Sequence, residues 1–243
     1  MLTIILRRDV RMKLARPDIF HPRIVLAGDP QLIEGDGDDT GLAAALRNRG
    51  LHARWLSWDD PDTLGADLVI LRATRDYTTR TEEFLAWTRQ VRNLLNPPDA
   101  VAWNADRHYL RDLQRAGVPT VPQRPSGDAT ALVFFGGAQS HAFGAGAEPV
   151  FEPDFELWDL GHATLRAAAG HLGIGAGELL YARADVVGGP DDVRLVGLDL
   201  IAPQLGWCQM GAAERDGRQR QFVLCVESAL DRLGLGPLSH RRP

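Results

Sequence analysis

Between Leu180 and Val186 polar and apolar residues alternate. Tyr181, Arg183 and Asp185 fall on one face of an extended strand, and Leu180, Ala182, Ala184 and Val186 on the other. A guanidinium beside a carboxylate can wall an anion-binding site, or it can form a local ion pair on a solvated face. The pattern alone supports both. Asp199 interrupts the apolar run Leu198–Ile201, where a carboxylate is costly to bury unless it is paired or metal-bound. If the two strands are neighbours, Asp185 and Asp199 face one cleft. Two such carboxylates can hold one Mg²⁺ weakly, or share a proton with one pKa raised, as a general acid requires. The bland alternative pairs Asp199 with an arginine. Arg72, Asp76 and Tyr77 follow the apolar run Asp67–Leu71 directly. There Arg72 could clamp a substrate carboxylate, or an Arg–Asp pair could order the loop. His141 reads as an assisting base or as a hydrogen-bonded core residue, whereas His108, His162 and His171 read as surface or packing residues. The acidic loop with Asp36, Asp38 and Asp39 lacks calcium-loop spacing and predicts a solvated turn before a helix.

These residues need elements to hold them. Arg23–Ala27, His52–Leu56 and Asp67–Leu71 read as short buried strands. Helices are predicted over Thr40–Arg49, which stops at Gly50, and over Thr81–Leu95, with Phe84, Trp87, Val91 and Leu94 on one face. Alternating strands and helices imply a parallel sheet, with ligand-binding loops at the carboxyl ends of its strands. From Asn104 the pattern changes. A helix to Ala116 precedes strands over Thr130–Phe135, Ser140–Phe143, Leu179–Val187 and Val193–Ile201 in hairpin-like order. Helices are predicted over Leu160–Leu172 and Arg218–Leu233. The expected architecture is an α/β layer followed by an α+β layer with a mainly antiparallel sheet. The expected divisions are a basic extension over 1–22, an α/β domain over 23–104 and an α+β domain over 105–243. None of the glycine-rich turns has the strand, spaced glycines and helix of a phosphate cradle.

Composition excludes several classes. The chain has 243 residues, 44% hydrophobic and 24% charged, with a net charge of −5. That suits a soluble globular protein and disfavours nucleic-acid or anionic-membrane binding. No apolar run approaches the roughly 18 residues of a membrane span, and Met1–Ile5 is too short for a signal-peptide core. Cys208 and Cys225 read as reduced, buried thiols, so a cytoplasmic location is expected. Every one of the 27 basic residues except Lys13 is an arginine. Schiff-base chemistry or a phosphate-gripping lysine would have to use Lys13.

The order of motifs resembles the ATP-grasp ligases that close cycloserine and join amino acids in natural-product pathways. In the first half the resemblance rests on Trp58-Asp59, Leu71 to Tyr77, Glu83 to Trp87, Leu95 to Pro97, Trp103 to Leu110 and Ala116 to Pro119. In the second half it rests on Leu132 to Gly137 with Ser140 to Ala142, Tyr181 to Asp185 and Leu198 to Pro203. The resemblance covers roughly residues 23–205 and implies a reduced ATP-grasp fold. It also implies what is altered. Only Gln123–Ala129 stands where the family has its nucleotide-clamping subdomain, and Arg107 stands where the family has a nucleotide lysine. Asp199 alone remains of the second strand's three metal-type carboxylates, and the stretch Gly144–Glu148 has no basic residue. Arg183 and Asp185 keep the family's catalytic arginine and a metal-type carboxylate.

Phosphoryl transfer rests almost wholly on positioning and charge neutralisation, and loss of one donor costs about 10²–10³ in rate. The expectation is therefore an enzyme with no cofactor that works by acid/base chemistry on a small carboxylate- or carbonyl-bearing metabolite. Cyclisation, dehydration, isomerisation and hydrolysis are the candidate reactions. Arg183 would stabilise an anion or oxyanion, Asp185 or Asp199 would act as acid/base and His141 would assist. Arg72, Asp76, Tyr77 and Tyr181 would bind substrate. Two alternatives stay open. One is a binding or docking pseudoenzyme, as a homodimer covering the surface left by the missing subdomain. The other is a residual ATP-dependent ligase using Arg107, Asp185 and Asp199. No nucleic-acid or membrane partner is expected.

Overall fold

A computed structural model describes residues 21–35, 37–121, 129–144, 151–189 and 191–236. Residues 1–20 of the extension predicted over 1–22, the short connection at 122–128, the stretch 145–150 and residues 237–243 lie outside the described residues, as do Asp36 and Pro190.

The chain begins with strand β1 (Arg23–Gly28), helix α1 (Leu42–Asn48), β2 (His52–Ser57) and β3 (Leu68–Ala73). Then come α2 (Thr81–Thr88), the two-residue β4 (Leu94–Leu95), α3 (Pro98–Ala105) and α4 (Tyr109–Arg115). The first four strands make a parallel sheet in the order β2-β1-β3-β4. β5 (Thr130–Phe135) and β6 (Ala138–Gly144) form a hairpin and precede α5 (Phe155–Leu172). β7 (Tyr181–Val187), β8 (Arg194–Asp199) and the long α6 (Ala212–Arg232) follow. The second sheet is antiparallel, in the order β6-β5-β7-β8. An α/β layer followed by an α+β layer is the expected architecture.

Three packed cores hold this arrangement. One face of the parallel sheet (Val25, Val69, Leu71) meets Phe84, Trp87 and Val101 of α2 and α3. One face of the antiparallel sheet (Leu132, Phe134, Ala182, Ala184, Val186) meets α5 through Leu165 and Ala168. α5 comes close there: a side chain at Gly161 would stand 2.7 Å from the Phe134 ring. The remaining faces of both sheets share a single core with α1 and α6, built from Ile24, Leu26, Leu46, Phe135, Tyr181 and Phe222. The wholly buried β3 sits between two of these cores, which is why its sequence runs apolar without alternation.

Two predicted helices are broken. The helix expected over Thr81–Leu95 ends at Thr88, and Leu94–Leu95 pairs with Val69 and Ile70. Asn93 makes the turn: its carbonyl accepts from Val69 N at 2.9 Å and its side chain donates to Asp67 O at 2.9 Å. The helix expected over Asn104–Ala116 splits around Asp106, whose carboxylate accepts from His108 N at 3.0 Å, a local bond that competes with helix. Conversely, α5 and α6 start earlier than predicted, at Phe155 and Ala212.

Two asparagines stitch the layers. The buried Asn96 donates to Tyr181 O (2.9 Å) and Leu200 O (2.8 Å) and accepts from Leu180 N (2.7 Å). Asn104 donates to Leu198 O (3.0 Å) and accepts from Leu200 N (2.7 Å). These side chains replace ladder partners just where β8 ends, so the strand stops at Asp199 and not at Ile201.

Candidate functional site

The strand alternation read from Leu180 to Val186 holds from Tyr181 onward, whereas Leu180, just before the strand, joins the core that contains Tyr181. β7 turns its alanines and Val186 into the α5 core, and Tyr181, Arg183 and Asp185 to the opposite face. Along that face the environment grades from core to cleft. Tyr181 is fully buried, whereas the Arg183 and Asp185 side chains are 16% and 19% exposed. Arg183 Nε donates to Asp185 Oδ1 at 2.7 Å, and its guanidinium lies 5.1 Å from the Phe143 ring. Register puts Asp199 on β8 directly beside Arg183. Asp199 Oδ1 accepts from Ile201 N (2.9 Å) and Ala202 N (3.2 Å). Burial pushes the Asp199 carboxyl above the usual carboxylate range. The two N–H bonds and Arg183 pull the other way, Asp185 adds to the rise, and the net direction is upward.

Asp185 and Asp199 open on one cleft of about 490 Å³, together with Tyr77, Arg107 and Tyr109. Burial, and then the Asp199 charge, push the Tyr77 phenol up to about 12. Tyr109 is buried, and its hydroxyl oxygen accepts from Leu198 N at 3.0 Å. Burial raises its pKa too. The cleft thus holds two carboxylates, two phenols that stay protonated near neutrality and the exposed Arg107. Sequence reasoning did not single out Tyr109, although it lies inside the motif Trp103 to Leu110.

Not every residue singled out in the sequence reaches this cleft. The His141 ring is 2% exposed, with Nε2 2.6 Å from Leu205 O and Nδ1 2.9 Å from Ser140 Oγ. Burial lowers its pKa to about 4 against the help of the Leu205 carbonyl, so both nitrogens are occupied and the ring is neutral at pH 7. The Tyr181 hydroxyl lies 2.7 Å from Leu71 O and 2.8 Å from Ile201 O, bridging the sheets from within the core. Asp76 accepts from Trp58 Nε1 at 2.8 Å and from Arg80 at 3.4 Å, and Arg80 covers the Trp58 ring. That is a loop-ordering role, made with other partners than Arg72.

Arg72 pairs instead with Asp39 at 2.9 Å, and its Nη2 donates to Pro203 O at 3.0 Å. Its guanidinium stands 5.3 Å from the Tyr181 ring and 5.8 Å from the Trp207 ring. Burial opposes its charge, but Asp39, Tyr181 and Asp38 outweigh that and raise its pKa. The acidic loop expected to be a solvated turn is therefore corrected. Asp38 and Asp39 are 4% and 7% exposed, because Asp39 meets Arg72 and Asp38 accepts from Leu205 N (2.6 Å) and Cys208 N (3.1 Å). The thiols also differ from expectation: Cys208 is exposed and Cys225 is half-buried. Cys208 lies three residues before Gly211, which opens α6, and its N–H donates to Asp38.

Among the described residues no three His, Cys, Asp or Glu side chains come together to hold a metal ion. The cleft's own donors fit a Mg²⁺–triphosphate poorly. Asp185 is bound to Arg183, and one Asp199 oxygen is taken by two backbone N–H groups. No helix among the described residues is long and apolar enough to cross a membrane.

This architecture is similar to that of ATP-grasp ligases of known structure. A crystal structure of the D-cycloserine synthetase DcsG superposes with a TM-score of 0.68 at 20% identity, covering 84% of this chain and 99% of that one. The ATP-grasp ligase PsnB with its precursor peptide and AMPPNP gives 0.56 at 12% identity over 88% of this chain and 99% of that one. The D-alanine–D-alanine ligase of Bacillus anthracis with ATP gives 0.57 at 11% over 87% and 98%. At these identities the likeness is one of fold. Sequence narrows it: residues 24–96, from β1 to just past β4, match the N-terminal domain family of DcsG. The cycloserine biosynthesis protein DcsG of Streptomyces lavendulae is 32% identical over 118 residues, 45% of this chain. That match spans 40% of the relative's length. The chain is DcsG-like over residues 24–96, and its fold is ATP-grasp-like over 84% of its length.

Proposed function

We propose that this chain is an acid/base enzyme on an ATP-grasp-like scaffold. In this reading it works without nucleotide on a small carboxylate- or carbonyl-bearing metabolite in a natural-product pathway related to that of DcsG. The observation that carries the reading is the register that sets Asp199 beside the Arg183–Asp185 ion pair, with Asp185 and Asp199 both opening on one cleft and burial raising the Asp199 pKa. In such a site Asp199 donates a proton to a leaving or carbonyl oxygen. Arg183 stabilises the negative charge that develops, and Asp185 holds the guanidinium in place. Tyr77 and Arg107 orient the substrate from the facing wall. The scaffold's similarity to ligases bound to ATP and AMPPNP makes nucleotide the reading to exclude.

The test is a thermal-shift titration with ATP or AMPPNP and Mg²⁺, run beside turnover assays on amino-acid-derived carboxylates without nucleotide. A ligand at 100 times its Kd adds about 2.7 kcal/mol to stability, several degrees in Tm. The expected nucleotide effect is under about 1 °C by the same arithmetic. Turnover should vanish in Arg183→Ala and in Asp199→Asn. A saturable rise with nucleotide overturns the reading in favour of a ligase. Ligand binding with no turnover overturns it in favour of a sequestering pseudoenzyme.

A further inference from the structure

A second cavity, of about 50 Å³, shares no lining residue with the cleft of Asp185 and Asp199 and is walled by Asp29, Asp38, Asp39, Arg72, Ala202 and Pro203 among others. A water needs roughly 10–15 Å³ of such space, so the cavity has room for a small functional group. The donors and acceptors on its walls can be followed one by one. Asp38 gives both oxygens to backbone N–H groups of Leu205 and Cys208. Asp39 Oδ1 takes Arg72 Nε, and Pro203 O takes Arg72 Nη2. Arg72 Nη1 has no hydrogen-bond partner, although the side chain is 1% exposed. A buried cation with an unmet N–H is costly to a fold and calls for an acceptor. Asp29 accepts Gln31 N through Oδ1 at 2.8 Å, and its second oxygen has no hydrogen bond described.

The charges decide which acceptor fits. Arg72 is already balanced by Asp39, with Asp38 also nearby; Asp29 and Arg75 stand on the wall too, so three carboxylates face two guanidinium groups and the lining is net negative. An isolated carboxylate entering here would add a negative charge to a lining that is already net negative. A planar amide supplies an acceptor oxygen and N–H donors with no net charge. We infer that this cavity is a binding site for a neutral carboxamide-type group, its oxygen on Arg72 Nη1 and its N–H directed to Asp29. The site is distinct from the cleft of Asp185 and Asp199. The assignment concerns binding alone and stands whether or not the catalytic reading does.

The test is a titration of the whole protein, isotopically labelled, with acetamide and separately with acetate, following the arginine side-chain Nε–H signals and the Ala73 amide by NMR. An acetamide molecule has about four heavy atoms, which places the expected Kd in the millimolar range. Acetamide should shift the Arg72 Nε–H and Ala73 signals saturably, and acetate should bind at least about fivefold more weakly, since only the anion carries the added charge. Arg72→Lys keeps a charge opposite Asp39 but removes the second nitrogen, and should abolish the shifts. Should that variant not fold, Ala202→Leu fills the cavity without touching the ion pair and should abolish them too. Absence of saturable shifts, equal or tighter binding of acetate, or undiminished binding in folded Ala202→Leu each overturns the assignment. Nucleotide binding or loss of turnover at the catalytic cleft leaves these readouts unmoved, so the two inferences fail separately.

Discussion

His141 makes the protein's stability depend on acid in a way that can be worked out from its surroundings. The ring is 2% exposed, its Nε2 lies 2.6 Å from Leu205 O, and burial lowers its pKa to about 4 from the ordinary 6.5. Arg218 lowers it a little further and Asp38 raises it. Between pH 6.5 and about 4 the unfolded chain binds a proton at this site that the folded protein refuses. The contribution to stability is therefore complete above pH 6.5 and is lost as pH falls toward 4. At about 1.4 kcal/mol per pH unit, a gap of roughly 2.5 units amounts to about 3 kcal/mol. That is a large part of the 5–15 kcal/mol typical of a domain. His141→Gln keeps a donor for Leu205 O and does not titrate. Urea denaturation of both proteins at pH 7, 6, 5 and 4 isolates the effect, because the carboxylates common to both cancel in the difference. Wild type should lose about 3 kcal/mol more than the variant between pH 7 and 4. Parallel stability curves would show that the ring is already charged when folded, and the reasoning would fall.

The Arg72–Asp39 pair joins β3 to the loop before α1, and both side chains are buried. Asp39→Asn should cost about 3–5 kcal/mol in urea denaturation by stranding the guanidinium, whereas a double replacement by Met and Leu should recover most of that loss. If the single and double variants are equally unstable, the ion pair is not what holds the loop. The two thiols should react in order: iodoacetamide followed by peptide mass analysis should label exposed Cys208 about tenfold or more before Cys225, whose pKa burial raises. Equal rates would mean that α6 opens readily around Cys225.

Local pattern determined a good deal about this protein. Alternation from Leu180 to Val186 put Tyr181, Arg183 and Asp185 on one face of an extended strand and the alanines on the other, because side chains alternate with a period of two, but it left open whether the polar face walls a site or meets solvent. Unbroken apolar runs marked β1 and β3 as strands buried on both faces. The order of motifs indicated the ATP-grasp-like fold. What needed the folded chain was which polar groups meet. Arg72 and Asp39 lie 33 residues apart, and Asn96 reaches Tyr181 and Leu200 across still longer spans. Nothing in the local run around Asp38 and Asp39 distinguishes a solvated acidic turn from one turned inward. That difference arises only when the 200–208 segment brings backbone N–H groups, and β3 a guanidinium, to meet the carboxylates. His141 and Asp199 show the same division. Each is a titratable residue in an apolar strand, but packing closes around the histidine on both ring nitrogens and leaves the carboxylate at the edge of an open cleft. Periodicity specifies which way a side chain points. Whether water, a partner or a cavity waits there is decided by contacts that are distant in sequence, and those exist only once the sheets have packed.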